Sequence, residues 1–177
     1  MTDTELTDAV GEPVRTARLD LLPLHVAHAD EMAGVLADPA LYAFTGGSPP
    51  ALGELRARYA RLAAGAPGGG TVWGNWVLRI RADGTLCGYV QVTIRDRVAE
   101  VAWVVGTPWQ GQGFAGEAAR GLVARLRGLP LHAVVAHVHP DHRASAAVAA
   151  SAGLARTDLV HDGEAVWRLD LTAPTAG

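Results

Sequence analysis

Residues 99–127, AEVAWVVGTPWQGQGFAGEAARGLVARLR, leave a chain few ways to fold. An apolar, strand-like run leads into a short glycine-rich loop and at once into an amphipathic helix, with Ala115, Ala118, Ala119, Leu122, Val123 and Leu126 at helical spacing. The loop itself is Gln110-Gly111-Gln112-Gly113-Phe114-Ala115-Gly116. Its glycines stand where a backbone must turn sharply and expose N–H groups, and the dipole of the following helix reinforces an anion site there. Strand, loop and helix together read as a cradle for pyrophosphate, whereas a lone G-x-G would mean only room for a turn.

A length of 177 residues suits one domain with a sizeable core, 1–177, in which 1–13 and 172–177 read as flexible tails. No apolar run approaches the ~20 residues of a membrane span, and the polar, acidic start MTDTELTDAVGEP carries no signal or anchor, which leads us to expect a soluble cytoplasmic protein without a membrane partner. A formal net charge of -3 gives no basic footprint for nucleic acid. All 15 Lys and Arg residues are arginine, which excludes lysine Schiff-base chemistry. The single cysteine, Cys87, lies in the alternating apolar run TLCGYVQVTI and reads as a core thiol.

In chain order, Arg18 to Leu24 alternate as a first strand with Pro23 near its end, and Asp30 is placed to cap a helix that Asp38-Pro39 stops. A loop with Tyr42 and Phe44 precedes a second helix over 51–64. Strands 73–81 and 86–94 form a hairpin around Ala82-Asp83-Gly84-Thr85, strand 98–105 leads into the glycine loop, and a buried strand over 131–138 precedes a small-residue helix closing at Gly153. A last hairpin joins 155–160 to 165–171. The order β-α-α-β-β-β-α-β-α-β-β is that of a mixed α/β chain.

Gly111-x-Gly113-x-x-Gly116 matches the dinucleotide fingerprint, but its context does not. The acidic residue expected ~20 positions on is replaced by Ala136, His137 and Val138, and only 61 residues follow Gly116. The same loop, through Gln110, Gly113 and Ala115, meets the signature Q/R-x-x-G-x-G/A, and the chain resembles the GNAT superfamily of acyl-CoA-dependent N-acyltransferases. The N-terminal TARLDLLPLHVAHADEMAGVLADP and the downstream VHPDHRASAAVAASAGL resemble the RimJ/RimL-like branch, so the likeness covers about residues 14–171.

That resemblance implies a central, mostly antiparallel sheet splayed at the acyl-CoA site and flanked by helices. It implies acetyl-CoA or another acyl-CoA as co-substrate, held by Gln110, Gly111, Gln112, Gly113, Phe114 and Ala115, with backbone at Val104 and Val105 beside the thioester. His142 occupies the family's usual asparagine position, where imidazole can still donate a hydrogen bond. Ser145 matches a serine placed to protonate the departing sulfur, and equally reads as a helix cap; the tyrosine acid of other members falls at Ala149 and is missing. Glu100, a carboxylate in an apolar run, matches a candidate base or faces solvent. Tyr42, Phe44, Trp73 and Trp76 are the aromatics on the acceptor side, each explicable also by packing. A metal at His137, His139 and His142 is not expected, since no carboxylate or cysteine joins them at ligand spacing. The implied partner is an amine, of a small molecule or a protein N-terminus, and a homodimer is compatible; a non-catalytic acyl-CoA-binding module is the alternative.

Overall fold

The computed structural model describes residues 2–171 as an eight-stranded sheet with helices on both faces, in the order β1-β2-β3-β4-β5-β6-β8-β7. The strands are β1 (Val14–Arg15), β2 (Leu19–Pro23), β3 (Thr71–Ile80), β4 (Leu86–Arg95), β5 (Val98–Val105), β6 (Ala133–Val138), β7 (Ala155–His161) and β8 (Glu164–Asp170). Every neighbouring pair is antiparallel except β5 and β6, whose crossover is the helix α4 (Phe114–Leu126). Such a sheet is not the doubly wound parallel sheet of a dinucleotide fold.

Strand alternation sorts the side chains onto two cores. One face buries Val72, Trp76, Leu78, Val90, Val92, Ala99 and Val101 under α4, α1 (Asp3–Val10) and α5 (Arg143–Ser151). The other packs Val77, Leu86 and Tyr89 beneath α2 (Ala29–Val35) and α3 (Leu52–Ala63), which contribute Met32, Leu55 and Tyr59. α2 and α3 cover only the β3–β4 end, so Trp73, Thr93 and Val135 remain half-buried on a sheet floor where Glu100 is open to solvent.

Three expectations are corrected. The lead-in over 1–13 contains α1, with Thr2 and Glu5 forming a capping box and Leu6 and Val10 buried in the larger core. The apolar residues at i and i+4 were too few to announce it; they find a partner only once the sheet exists. Asp30 is not a cap: α2 begins at Ala29, and the Asp30 carboxylate faces Arg56 on α3. Trp76 is not on the acceptor side, because its ring is 1% exposed in the α4-side core and its indole N–H donates to the Glu12 carbonyl. The tail expected at 172–177 lies outside the described residues.

The first turn of α4 is tied to the N-terminal strands through Glu117, a buried carboxylate. It accepts from the Thr16 hydroxyl at 2.6 Å, the Arg18 backbone N–H at 2.6 Å and Arg18 Nε at 2.7 Å. Burial alone would raise its pKa, but these hydrogen bonds and the guanidinium outweigh that and hold it below the ordinary value of 4.5. A depressed carboxylate stabilises the fold above the unfolded-state pKa and ceases to do so as pH falls through the folded one. Glu117→Gln is therefore expected to lower unfolding free energy at pH 7 by about 1–3 kcal/mol, and the gap between variant and parent should close as the pH is taken from 5 to 3. Urea denaturation across that range checks both signs.

Candidate active site

β5 and β6 pair over only three positions, Val98 with Ala133, Ala99 with Val134 and Glu100 with Val135. Beyond Glu100 they separate, and the gap is flanked by the N-termini of α4 and α5. Which groups line it follows from the ladder on the other side of β5. Gly106 N donates to Cys87 O, so by antiparallel alternation Val104 and Ala102 exchange their hydrogen bonds with Tyr89 and Gln91. Trp103 and Val105 consequently turn their N–H groups toward the gap. Val104 does not: its backbone is spent on β4 and its side chain packs against the α2–α3 core. The Val105 carbonyl accepts from Gln110 Nε2 at 2.9 Å, which anchors the glycine loop to the end of the strand.

Gly88 permits the strands to approach here. A Cβ on it would stand 2.1 Å from the Val104 carbonyl oxygen, closer than real atoms come. Its thiol-bearing neighbour Cys87 is fully buried, and burial pushes the thiol up to about 12, so no thiolate nucleophile exists at neutral pH.

In the loop, Gly111 and Gly113 adopt left-handed φ values of 75° and 82°. Gly113 is the N-cap of α4 and has no side chain to cap it, so the N–H groups of Phe114, Ala115 and Gly116 open the helix without a side-chain cap from that residue. Arg18 was not anticipated. It bonds the Gln112 carbonyl at 2.9 Å, lies 4.5 Å from the centre of the Phe114 ring and is held by Glu117, which brings a cation to the loop. Its only signal in the sequence was an arginine ahead of an alternating strand, which most strands could carry.

Ser145 does not cap α5. The N-cap is His142, whose Nδ1 accepts from Ser145 N at 3.4 Å. The Ser145 hydroxyl instead accepts from the Trp103 indole N–H at 3.0 Å, joining β5 to α5 across the gap. His142 is stacked on Phe44 with ring centres 4.4 Å apart, and His139 lies 5.1 Å from the same ring. Burial, with help from the His139 charge, lowers the His142 pKa below 6.5, so the ring is neutral with Nδ1 as acceptor and Nε2–H as donor.

Glu100 stands at the last paired position, 53% exposed, with one carboxylate oxygen 3.4 Å from His137 Nδ1. Trp73 shares its cross-strand row through Thr93. Tyr42 donates its hydroxyl hydrogen to the Leu36 carbonyl at 3.0 Å. Thus the structure brings Glu100, Ser145, Val105, Gln110 and the loop to one gap, with Phe44 and His142 at its margin, and leaves Trp76 and the Val104 backbone out. Ala149 is fully buried. Among the described residues no group of three His, Cys, Asp or Glu could hold a metal ion, and no helix is long and apolar enough to cross a membrane.

Residues 18–155 match the family model described as an acetyltransferase (GNAT) domain, and the chain belongs to that family. The solved structures it resembles extend the likeness to nearly its whole length. A RimL ribosomal L7/L12 alpha-N-protein acetyltransferase in complex with coenzyme A superposes with a TM-score of 0.74 at 13% identity, covering 90% of this chain and 98% of that one. RimJ of Mycobacterium smegmatis gives 0.70 at 21% identity, covering 90% and 86%. An acetyltransferase of Agrobacterium tumefaciens gives 0.71 at 26% identity, covering 89% and 94%. No functionally curated protein matches the sequence significantly. The mostly antiparallel sheet that the resemblance implied is the observed one.

His142 holds α5 and Phe44 together, so His142→Ala is expected to cost about 1 kcal/mol. A histidine whose folded pKa is lowered stabilises the fold above its unfolded pKa of about 6.5 and loses that contribution as pH falls. Thermal melts from pH 7.5 to 5 should therefore fall less steeply in the variant than in the parent.

Proposed function

We propose that this protein is an acyl-CoA-dependent N-acyltransferase that passes an acetyl group to a primary amine by direct attack in a ternary complex. The observation that carries the reading is the pair of unpaired backbone N–H groups, at Trp103 and Val105, opening beside an anion-binding helix start. The loop amides at Gln110–Ala115, with Arg18 beside them, suit a pyrophosphate. The gap suits a thin, hydrogen-bonding chain laid along an edge strand that has lost its neighbour.

Each chemical need has a residue. The Trp103 N–H is the donor we assign to the developing oxyanion, because it faces the gap nearest Glu100 and Ser145. Glu100 lies three residues away, about 10 Å of strand, so it takes the ammonium proton through water, with His137 beside it. Glu100 passes that proton to solvent; as the C–N bond then forms and the C–S bond breaks, the second amine proton leaves by the same water to Glu100, and the sulfur receives a proton from the Ser145 hydroxyl, which solvent replaces. Ser145 is oriented for this because its oxygen is already fixed by the Trp103 indole. His142 Nε2–H is a further donor at the margin. The RimL and spermidine acetyltransferase neighbours act on a protein N-terminus and a polyamine respectively, so the fold by itself serves both kinds of acceptor.

Acetyl-CoA should raise the melting temperature and NADH should not. Gly113→Val should abolish the rise, since a side chain at a φ of 82° strains the loop whose amides face the ligand. Glu100→Gln should preserve that rise while lowering turnover ~100-fold, with the deficit shrinking as pH approaches the amine's own pKa. Full turnover in Glu100→Gln would place the base elsewhere; acetyl-CoA binding without thiol release for any amine would favour the binding-module reading.

A further inference from the structure

Of the three histidines at the end of β6 and beyond it, His139 and His142 go to the Phe44 ring and His137 goes elsewhere. It stands two residues past Val135, the last β6 position to pair with β5, so strand alternation puts it on the same open face as Glu100, where the two strands part. Its Nδ1 is 3.4 Å from Glu100 Oε1. Among the described residues the Glu100 side chain has no other ion-pair or hydrogen-bond partner. A half-exposed carboxylate with a single polar contact is free to leave its rotamer unless that contact holds it.

His137 is itself held from behind. Its side chain is 22% exposed, and its ring lies 5.1 Å from that of His161, tilted by 34°. A bulge in β7 delivers His161 to that place. Ala155 and Arg156 pair with Arg168 and Trp167, but Val160 and His161 pair with Ala165 and Glu164, so Thr157, Asp158 and Leu159 together oppose Val166. The Thr157 hydroxyl closes the bulge, donating to the Val166 carbonyl at 2.8 Å and accepting from the Leu159 N–H at 3.2 Å. Val166 is the residue opposite His137 on β8. Under regular pairing Leu159 would face Glu164, and the extra residues put an imidazole there instead. His161 Nε2 lies in turn 3.3 Å from an Asp162 carboxylate oxygen. Glu100, His137, His161 and Asp162 thus follow one another in contact from β5 to the end of β7.

An ionised carboxylate can only accept, so the proton of a neutral His137 belongs on the Nδ1 that faces Glu100. At 3.4 Å the contact is longer than a closed hydrogen bond, as such contacts are in an empty site before substrate tightens them. We propose that His137 is the positioning residue of the base: its Nδ1–H holds the Glu100 carboxylate at the mouth of the gap, where the ammonium proton must be taken. This rests on the transfer reading above and adds a residue to it, since Glu100 accepts the proton and His137 fixes where it is accepted.

The test uses the full chain, acetyl-CoA and an amine that supports thiol release. His137→Ala should lower kcat by about 10-fold while leaving the KM for acetyl-CoA and the acetyl-CoA-induced rise in melting temperature unchanged. Asparagine carries its amide nitrogen where Nδ1 stands and glutamine where Nε2 stands, so His137→Asn should return kcat to within about threefold of the parent and His137→Gln should not. In the Glu100→Gln background His137→Ala should cost nothing further, because the group it positions has lost its basicity. Parental kcat in His137→Ala, an Asn variant as slow as the Ala variant, or the same loss repeated in the Glu100→Gln background would overturn the inference while leaving transfer intact. Should the parent release no thiol with any amine, the transfer reading fails, and 15N spectra of the histidine-labelled protein decide the pair without activity. Nδ1–H at His137 in the parent and Nε2–H in Glu100→Ala uphold the pairing of the two residues; one tautomer in both overturns it.

Discussion

Everything at the site depends on β5 and β6 parting after Glu100. A buried strand edge without a neighbour is costly, because each N–H and C=O turned that way has lost water and gained nothing. Here the cost is reduced at one point, where Gln110 supplies the Val105 carbonyl with a donor, while the Trp103 indole, bonded to Ser145, ties β5 to the element following β6. What stays unsatisfied is a short row of donors, at the mouth of two helix N-termini.

The separation can persist because both sides are held independently. β5 is fastened to β4 along its full length, with Gly88 allowing the close approach that any side chain would prevent. β6 is fastened to β8, and α5 is begun by an imidazole that also stacks on the loop from the opposite face. α4 is pinned at its first turn by Glu117 to the strands at the far edge. That buried carboxylate fixes Arg18 with one oxygen and the Arg18 backbone with the other, so the loop's cation has little freedom to drift.

The two faces of the sheet divide the labour. The α4 face is closed and apolar, and it carries the loop. The opposite face is roofed only by α2 and α3, leaving a half-buried floor that runs along Trp73 and Thr93 to Glu100. One strand, β5, thus presents backbone donors at its edge and a carboxylate on its open face. Period-two alternation achieves this with no special residue, since adjacent positions on a strand point to opposite sides.

Much of this was legible in the chain. Strand and helix periodicity located all but the two-residue β1 and the amphipathic α1, and the glycine spacing between a strand and a helix marked the left-handed turn that opens α4. Glycine is informative there because a left-handed backbone excludes most other residues locally. The sequence by itself therefore determined the elements, the loop and the family likeness. Tertiary structure alone decided which donors are free, since that depends on where a partner strand stops pairing. It also decided that Ser145 answers to Trp103 and not to its own helix, that Trp76 belongs to the core, and that Arg18 and Glu117 tie the loop to the N-terminal strands. Those contacts join residues dozens of positions apart, and no local pattern encodes a distance that only the packed sheet sets.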